Sequence, residues 1–291
     1  MNRANFFLRN LIDKIKNILR NPKVLIHYIK QYLVKDSLNN KEYYLVVSYP
    51  KSGRTWLREI LVRYLDSMNQ LNNSKQPLNI NFSDKGVNKL IVFYHHYGEW
   101  APMPKKKGYC KVDSKIKEAK RIIFLSRRPN CVLASSWHHL TSREKIYNKS
   151  KLEFVNDENL GIHKITEFYN FWLKIAKNNE SISFISYEEL HKDTYFYTKK
   201  LISNFGIELN KTKLEESIHY SSFHNMQKRE LNGKGRSPWN SSPNNSKNSL
   251  KTRRGLVDSS NEVFNKDIIN FINNETDKAL NQEDKIKLGI L

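Results

Sequence analysis

Two cysteines in 291 residues, Cys110 and Cys131, are too few for a disulfide framework, and neither stands in metal-ligand or redox spacing such as C-x-x-C. A reducing, cytosolic setting is the natural reading. Acidic residues are scarce as well, 29 against 50 Lys and Arg, which leaves a net charge of +21. No uncharged run approaches the length of a bilayer span, and charges interrupt the N-terminal apolar residues every few positions. Neither a transmembrane helix nor a signal peptide is therefore expected.

What is present is enough apolar material for a core: 38% hydrophobic and 12% aromatic residues exclude disorder throughout. The excess charge exceeds what solubility requires and implies a negatively charged ligand, polymer or surface. It is concentrated. Residues 1–35, 101–121 and 228–254 carry +7, +6 and +7, all but one of the net charges. Localised anion contacts fit this distribution better than a uniformly basic coat.

Residues 6–20, FFLRNLIDKIKNILR, place Phe7, Leu8, Leu11, Ile12, Ile15, Ile18 and Leu19 on one helical face with Arg9, Lys16 and Arg20 opposite. Such a basic amphipathic helix suits an anionic membrane surface or packs on its own domain. From residue 43 the pattern changes. YYLVVS reads as a buried strand, the turn YPKSGRTW follows, and Leu57, Ile60, Leu61, Tyr64 and Leu65 then recur at helical spacing. Further strands are expected at 91–94, 121–126 and 182–187, with helical stretches around 131–140, 164–178 and 193–205. Gly206 is a helix stop. The alternation predicts an α/β domain with a largely parallel sheet. The Gly-, Pro-, Ser- and Asn-rich stretch 233–247 reads as a long loop. The simplest partition is an N-terminal helical extension, 1–40, and one domain, 41–291.

A strand-to-helix turn leaves the first amides of the helix unpaired at the positive end of its dipole, so an anion belongs there. Gly53 lets the backbone approach, Ser52 and Thr55 offer hydroxyls, and Lys51 offers a point charge. The turn is not a Walker A loop, in which Lys follows the last glycine; Lys51 precedes Gly53. No carboxylate ending an apolar strand is an obvious metal ligand, so a nucleotide site without an obligatory metal is expected. A second stretch, RIIFLSRRPNCVLASSWHH, is a strand ending in Arg127 and Arg128, with Pro129 at a helix start and Ser135 within that helix. Arg127 and Ser135 suit a second phosphate above the sheet.

As a set these residues resemble the sulfotransferases that use 3′-phosphoadenosine 5′-phosphosulfate (PAPS). YPKSGRTW is similar to their phosphosulfate loop, YPKSGTTW, and RIIFLSRRPNCVLASSW to their 3′-phosphate motif. FISYEEL resembles their Y-E-D/E-L strand end, SSFHNMQKRE their F-x-x-M segment and KTRRGLV their R-[KR]-G element, in matching order over residues 43–265. Three departures stand out: Arg54 for Thr, Cys131 for Asp, and Asp258 for Gly.

The resemblance implies a three-layer, P-loop-like fold with a central, mainly parallel sheet flanked by helices. It implies that Lys51, Ser52, Gly53, Arg54 and Thr55 bind the 5′-phosphosulfate, with Trp56 beside or beneath the adenine and Tyr187 near it. Arg127, Ser135, Arg253, Arg254 and Gly255 would take the 3′-phosphate. PAPS would be the cosubstrate, 3′-phosphoadenosine 5′-phosphate (PAP) the product, and no metal is expected. Lys51 would stabilise the leaving oxygen, and His95, preferred over its neighbour His96, would be the base that deprotonates an acceptor hydroxyl. Glu99 and Glu230 are candidates for the acceptor side, while His138 and His139 read as ordinary helix residues. A saccharide hydroxyl is the first expectation for the acceptor, with a small alcohol, phenol or lipid open. Two other classes are weighed against this: a Mg²⁺-dependent phosphotransferase, and a basic nucleic-acid or membrane binder. No specific nucleic acid is expected, and the expected location is cytoplasmic, with peripheral membrane contact through residues 6–20 as an alternative to packing of that helix on the domain.

Overall fold

The computed structural model describes residues 41–72, 79–94, 116, 118–232, 250, 252 and 255–291. The amphipathic segment 6–20, the histidines at 95 and 96, Glu99, Arg253 and Arg254 lie outside these residues, as does the whole 233–247 stretch.

In chain order the elements are β1 (Glu42–Val47), α1 (Arg54–Ser67), β2 (Asn79–Asp84), β3 (Val87–Tyr94), β4 (Arg121–Ser126), α2 (Pro129–His138), a π-helical turn (His139–Arg143), α3 (Lys151–Val155), α4 (Ile162–Ala176), β5 (Ile182–Ser186), α5 (Tyr187–Lys192), α6 (Thr194–Asn204), α7 (Lys211–Tyr220), α8 (Phe223–Leu231), a 3₁₀ turn (Ser260–Glu262), α9 (Lys266–Ala279) and α10 (Gln282–Leu288). The sheet has five strands in the order β2-β3-β1-β4-β5. β1 runs parallel to β3 and β4, β4 runs parallel to β5, and β2 alone is antiparallel, to β3.

Period-two alternation builds the two sides of the sheet. Tyr43, Leu45 and Val47 of β1 join Ile122 and Phe124 of β4 on the face covered by α2, α4 and α9. Tyr44 and Val46, with Ile91, Ile123 and Leu125, face α1, α6 and α7. Both faces of the central strands are therefore buried, which explains why YYLVVS and RIIFLS read as unbroken apolar runs. On the first face Phe124 lies within 5.9 Å of four aromatic rings, Phe168, Tyr169, Trp172 and Phe184, centroid to centroid.

β2 was not expected from the pattern. Its NINFSD sequence is polar at every second position, and it pairs with β3 through a turn in which Lys85 and Gly86 both take positive φ, 50° and 77°. Gly206 behaves as the sequence predicts, closing α6 at φ 58°. Among the described residues no helix is long and apolar enough to cross a membrane.

The connections place a site. From the central strand β1 the chain first moves outward to β3 on one side, then crosses to β4 on the other. The C-terminal ends of β1 and β4 therefore flank a point where strand order reverses, where open α/β sheets bind ligands. The turn at Lys51 leaves one of these ends, and Arg127 leaves the other.

Candidate functional site

The 49–56 turn is built to leave donors unspent. Gly53 sits at φ 96° as the N-cap of α1 and supplies no side-chain cap; Lys51 also takes a positive φ, 71°. The first amides used inside the helix are those of Trp56 and Leu57, both donating to the Gly53 carbonyl at 3.0 and 3.2 Å. Those of Gly53, Arg54 and Thr55 find no acceptor among the described residues. Ser52 is buried, and its Oγ has no well-formed hydrogen bond among them either, although it is near enough to the Tyr169 hydroxyl to affect it. A helix N-terminus with idle amides and a sealed hydroxyl is matched to a phosphate or sulfate oxygen.

Arg127 stands across the crevice, 8% exposed. Its Nη1 donates to the Lys51 carbonyl at 3.0 Å, its Nη2 reaches the Leu256 carbonyl at 3.5 Å, and its guanidinium lies 4.2 Å from the Tyr187 ring centroid. The backbone is fixed too: the Arg127 amide donates to Tyr169 Oη and its carbonyl accepts from the same hydroxyl. Nε alone is buried without a partner, a donor left for a ligand. Glu188, the neighbour of Tyr187, accepts from the Arg128 amide at 3.1 Å. Burial pushes its carboxyl up, against the pull of that amide and of Arg127. Ser135 lies on α2, partly exposed, and its hydroxyl makes no hydrogen bond among the described residues.

Tyr187 begins α5 and packs its ring against the turn. A methyl group on Gly53 would come within 2.6 Å of Tyr187 Cδ2, so only glycine permits this approach. Trp56 and His191 complete an aromatic wall, with centroid separations of 5.8 Å for Trp56–Tyr187 and 6.0 Å for Tyr187–His191. Trp56 Nε1 is shielded and has no partner. His191 was not picked out from the sequence. It stands one helical turn after Tyr187, and its Nε2 is 2.9 Å from the Gly255 carbonyl, so the Y-E-E-L-H spacing contained the signal.

Gly255 joins the same place from the far end of the chain. It takes φ 65°, and a methyl group there would meet Phe223 Cδ2 at 2.3 Å. The F-x-x-M segment on α8 thus packs directly on Gly255. Glu230, at the end of α8, is not available to an acceptor. It is 2% exposed, pairs with Arg143 at 3.1 Å and accepts from the Thr252 amide at 2.8 Å. The pair ties the π-helical turn to the Thr252 backbone. Removing the carboxylate would break a buried charge pair, so Glu230→Ala should lower the free energy of unfolding by roughly 3–5 kcal/mol. Urea denaturation checks this, and an unchanged midpoint would show that the pair is dispensable.

Two departures from the resembled pattern meet each other. Cys131 Sγ lies 3.2 Å from the Val257 carbonyl and 3.8 Å from Asp258 Oδ1. The carboxylate that the pattern places at position 131 is supplied here from the opposite loop, where it accepts from the Ser260 amide and hydroxyl at 3.1 and 2.8 Å. Burial opposes ionisation of Asp258, yet the Ser260 donors and Arg128 hold its carboxyl below the usual range. Burial pushes the Cys131 thiol up to about 11, so it is a packing residue rather than a nucleophile.

His138 and His139 lie at the end of α2, His139 Nε2 being 3.4 Å from Glu144. Among the described residues no cluster of His, Cys, Asp and Glu could hold a metal ion.

The Lys51 turn, Arg127, the aromatic wall and Gly255 thus meet at the C-terminal ends of β1 and β4. Residues 41–284 match the sulfotransferase domain model, most of the chain, and the chain therefore belongs to the family of PAPS-dependent sulfotransferases. It is 26% identical over 225 residues to a 3-beta-hydroxysteroid sulfotransferase of Cavia porcellus, covering 72% of this chain and 73% of that protein. Against cytosolic sulfotransferase 13 of Arabidopsis thaliana the identity is 20% over 254 residues, 77% of this chain and 78% of the other. Among solved structures, mouse sulfotransferase SULT7A1 complexed with PAP superimposes with a TM-score of 0.60 at 20% identity, covering 84% of this chain and 86% of that one. Retinol dehydratase in complex with androsterone and PAP gives 0.57 at 13% identity, over 82% and 81%. The α/β fold with its mainly parallel sheet is thus the family's.

Proposed function

We propose that the chain transfers a sulfuryl group from PAPS to an acceptor hydroxyl, with the nucleotide held across the C-terminal ends of β1 and β4. The observation that carries this is the convergence of four separate sequence segments on one crevice: the Lys51 turn, Arg127, Tyr187 and Gly255. Lys51, Ser52, Gly53, Arg54 and Thr55 hold the 5′-phosphosulfate against the idle amides of α1. Arg127 Nε and Ser135, with Arg253, Arg254 and Gly255, take the 3′-phosphate. Trp56 and Tyr187 supply the aromatic surfaces for the adenine.

Transfer needs positioning and charge stabilisation more than covalent help from the protein. The acceptor oxygen bonds to sulfur as the bond from sulfur to the phosphate oxygen breaks. The hydroxyl proton passes to His95, which follows the end of β3, and the charge growing on the departing oxygen is met by Lys51. A cytoplasmic enzyme acting on a hydroxyl-bearing acceptor agrees with its relatives, one named for hydroxysteroids and another as cytosolic. The polar segments 66–90, 141–162 and 231–250 favour a saccharide hydroxyl for this chain.

The test is calorimetric titration with PAP, with and without Mg²⁺, followed by transfer of labelled sulfate from PAPS to a panel of hydroxyl acceptors. Metal-independent PAP binding is expected. Lys51→Ala should lower turnover on the order of 10²–10³-fold, the size of one electrostatic donor. His95→Ala should lower it about 10²–10⁴-fold and His96→Ala much less. The native rate should rise with pH as the imidazole loses its proton. Binding of ATP with Mg²⁺ in place of PAP would overturn the reading, and a larger loss in His96→Ala would move the base to that residue.

A further inference from the structure

One charge beside the site, that of Arg58, has no use in nucleotide binding as described. Arg58 stands one helical turn after Arg54 on α1, and it is 9% exposed. Its guanidinium lies 5.8 Å from the centroid of Phe93, the penultimate residue of β3, which pairs in register with Val46 of β1. The group therefore sits at the C-terminal edge of the sheet, on the β3 side of the Lys51 turn, whereas Arg127 and the 3′-phosphate elements lie on the β4 side. From Phe93 the chain continues two residues to His95.

Neither arginine makes a hydrogen bond or ion pair to a described residue. The nearest acidic influence on Arg58 is Glu59, itself buried and outside ion-pairing distance, with Oε2 unpartnered. Arg54 keeps part of its surface in solvent, yet packing around its guanidinium and the charge of Arg58 push it down to about 9; burial pushes Arg58 down to about 10. Both remain cationic at neutral pH. A buried guanidinium without an ion-pair partner destabilises the fold unless an anion neutralises it.

Position points to the acceptor as that anion. Arg58 lies past the first turn of α1, against Phe93 near the end of β3 rather than beside Arg127. We infer that Arg58 forms an anion-recognition subsite on the acceptor side, so that the acceptor carries a carboxylate or an ester anion in addition to the hydroxyl that is sulfated. This rests on the sulfotransferase reading of the site and narrows it: the saccharide or alcohol is an acidic one. A planar guanidinium over an aromatic ring suits bidentate carboxylate binding.

The experiment uses the full chain saturated with PAP, titrated calorimetrically with pairs that differ only in charge: 4-nitrophenyl β-glucuronide against the β-glucoside, and 4-hydroxybenzoate against 4-hydroxybenzamide. In at least one pair the anionic member should bind tenfold or more tightly, and in Arg58→Met that preference should fall below twofold. The variant should keep its PAP affinity within twofold, and its melting temperature should hold or rise, because a buried unpaired charge has been replaced by an apolar chain. Arg58→Lys should restore part of the preference. No preference for the anion in either pair, or a preference that survives Arg58→Met, would overturn the inference. A tenfold loss of PAP affinity in Arg58→Met would overturn it too, by assigning the arginine to the nucleotide. Failure of the native protein to bind PAP at all would instead sink the reading beneath it.

Discussion

Arg127→Ala should weaken PAP binding by at least a hundredfold, and Arg127→Lys should recover little of the loss. The reason is geometric. One guanidinium bonds the Lys51 carbonyl, reaches the Leu256 carbonyl and stacks over Tyr187, while Nε stays free. It therefore welds the phosphosulfate turn to the C-terminal loop and to the aromatic wall before any ligand arrives. Truncation removes the charge facing the 3′-phosphate and leaves two carbonyls without their donor. Losing one partner of a buried charged contact typically costs about 2–5 kcal/mol in binding. A lysine ammonium cannot stack on the ring and reach both carbonyls at once. Calorimetry with PAP measures the effect, and thermal melting should separate it from loss of the fold, because the Arg127 amide and carbonyl remain bonded to Tyr169. Near-native affinity in Arg127→Lys would mean that the residue acts as a point charge only.

How far this arrangement could be read from the sequence depends on the kind of signal each part carries. β1, β3 and β4 are legible because strands buried on both faces concentrate apolar residues into short runs, and the edge strand β5 because Ile and Phe fill three of its five positions. β2 is not, since it is an edge strand with a polar outer face and its turn uses Lys rather than Asn or Asp before Gly86. Beyond Gly206, α9 carries an apolar stripe, Ile268, Ile269 and Ile272, packed on the core, and α9 and α10 are marked also by their caps, Asn265 and Asn281, whose side chains accept from the amides three residues on. In the site, local motifs announce the turn and the Arg127 strand end. Contacts between distant segments do not announce themselves. The Arg143–Glu230 pair depends on a π-helical turn that shifts the register after His138, and the exchange of carboxylate between positions 131 and 258 joins residues more than a hundred apart. Neither has a periodicity to detect.

Gly53→Ala carries the second large effect, although it adds a single methyl group. Two independent costs meet at this residue. At φ 96° an L side chain is strained, by roughly 1–3 kcal/mol, and the new Cβ would come within 2.6 Å of Tyr187 Cδ2. Tyr187 cannot withdraw cheaply. Its ring lies against the Arg127 guanidinium on one side and contacts Trp56 and His191 on others. The displacement would therefore reach the Arg127 contact with Lys51 and spread from the phosphosulfate turn to the 3′-phosphate side. PAP affinity should fall by at least a hundredfold, with a drop in melting temperature of several degrees. Tyr187→Leu in the same background separates the two causes. If steric overlap dominates, the double variant should melt higher than Gly53→Ala; if the backbone angle dominates, it should melt lower, because the Arg127 stack is lost and nothing is relieved. Full PAP affinity in Gly53→Ala alone would show that the turn reaches its bound geometry without the left-handed glycine, and the close packing of Tyr187 on the turn would then have no part in holding the nucleotide.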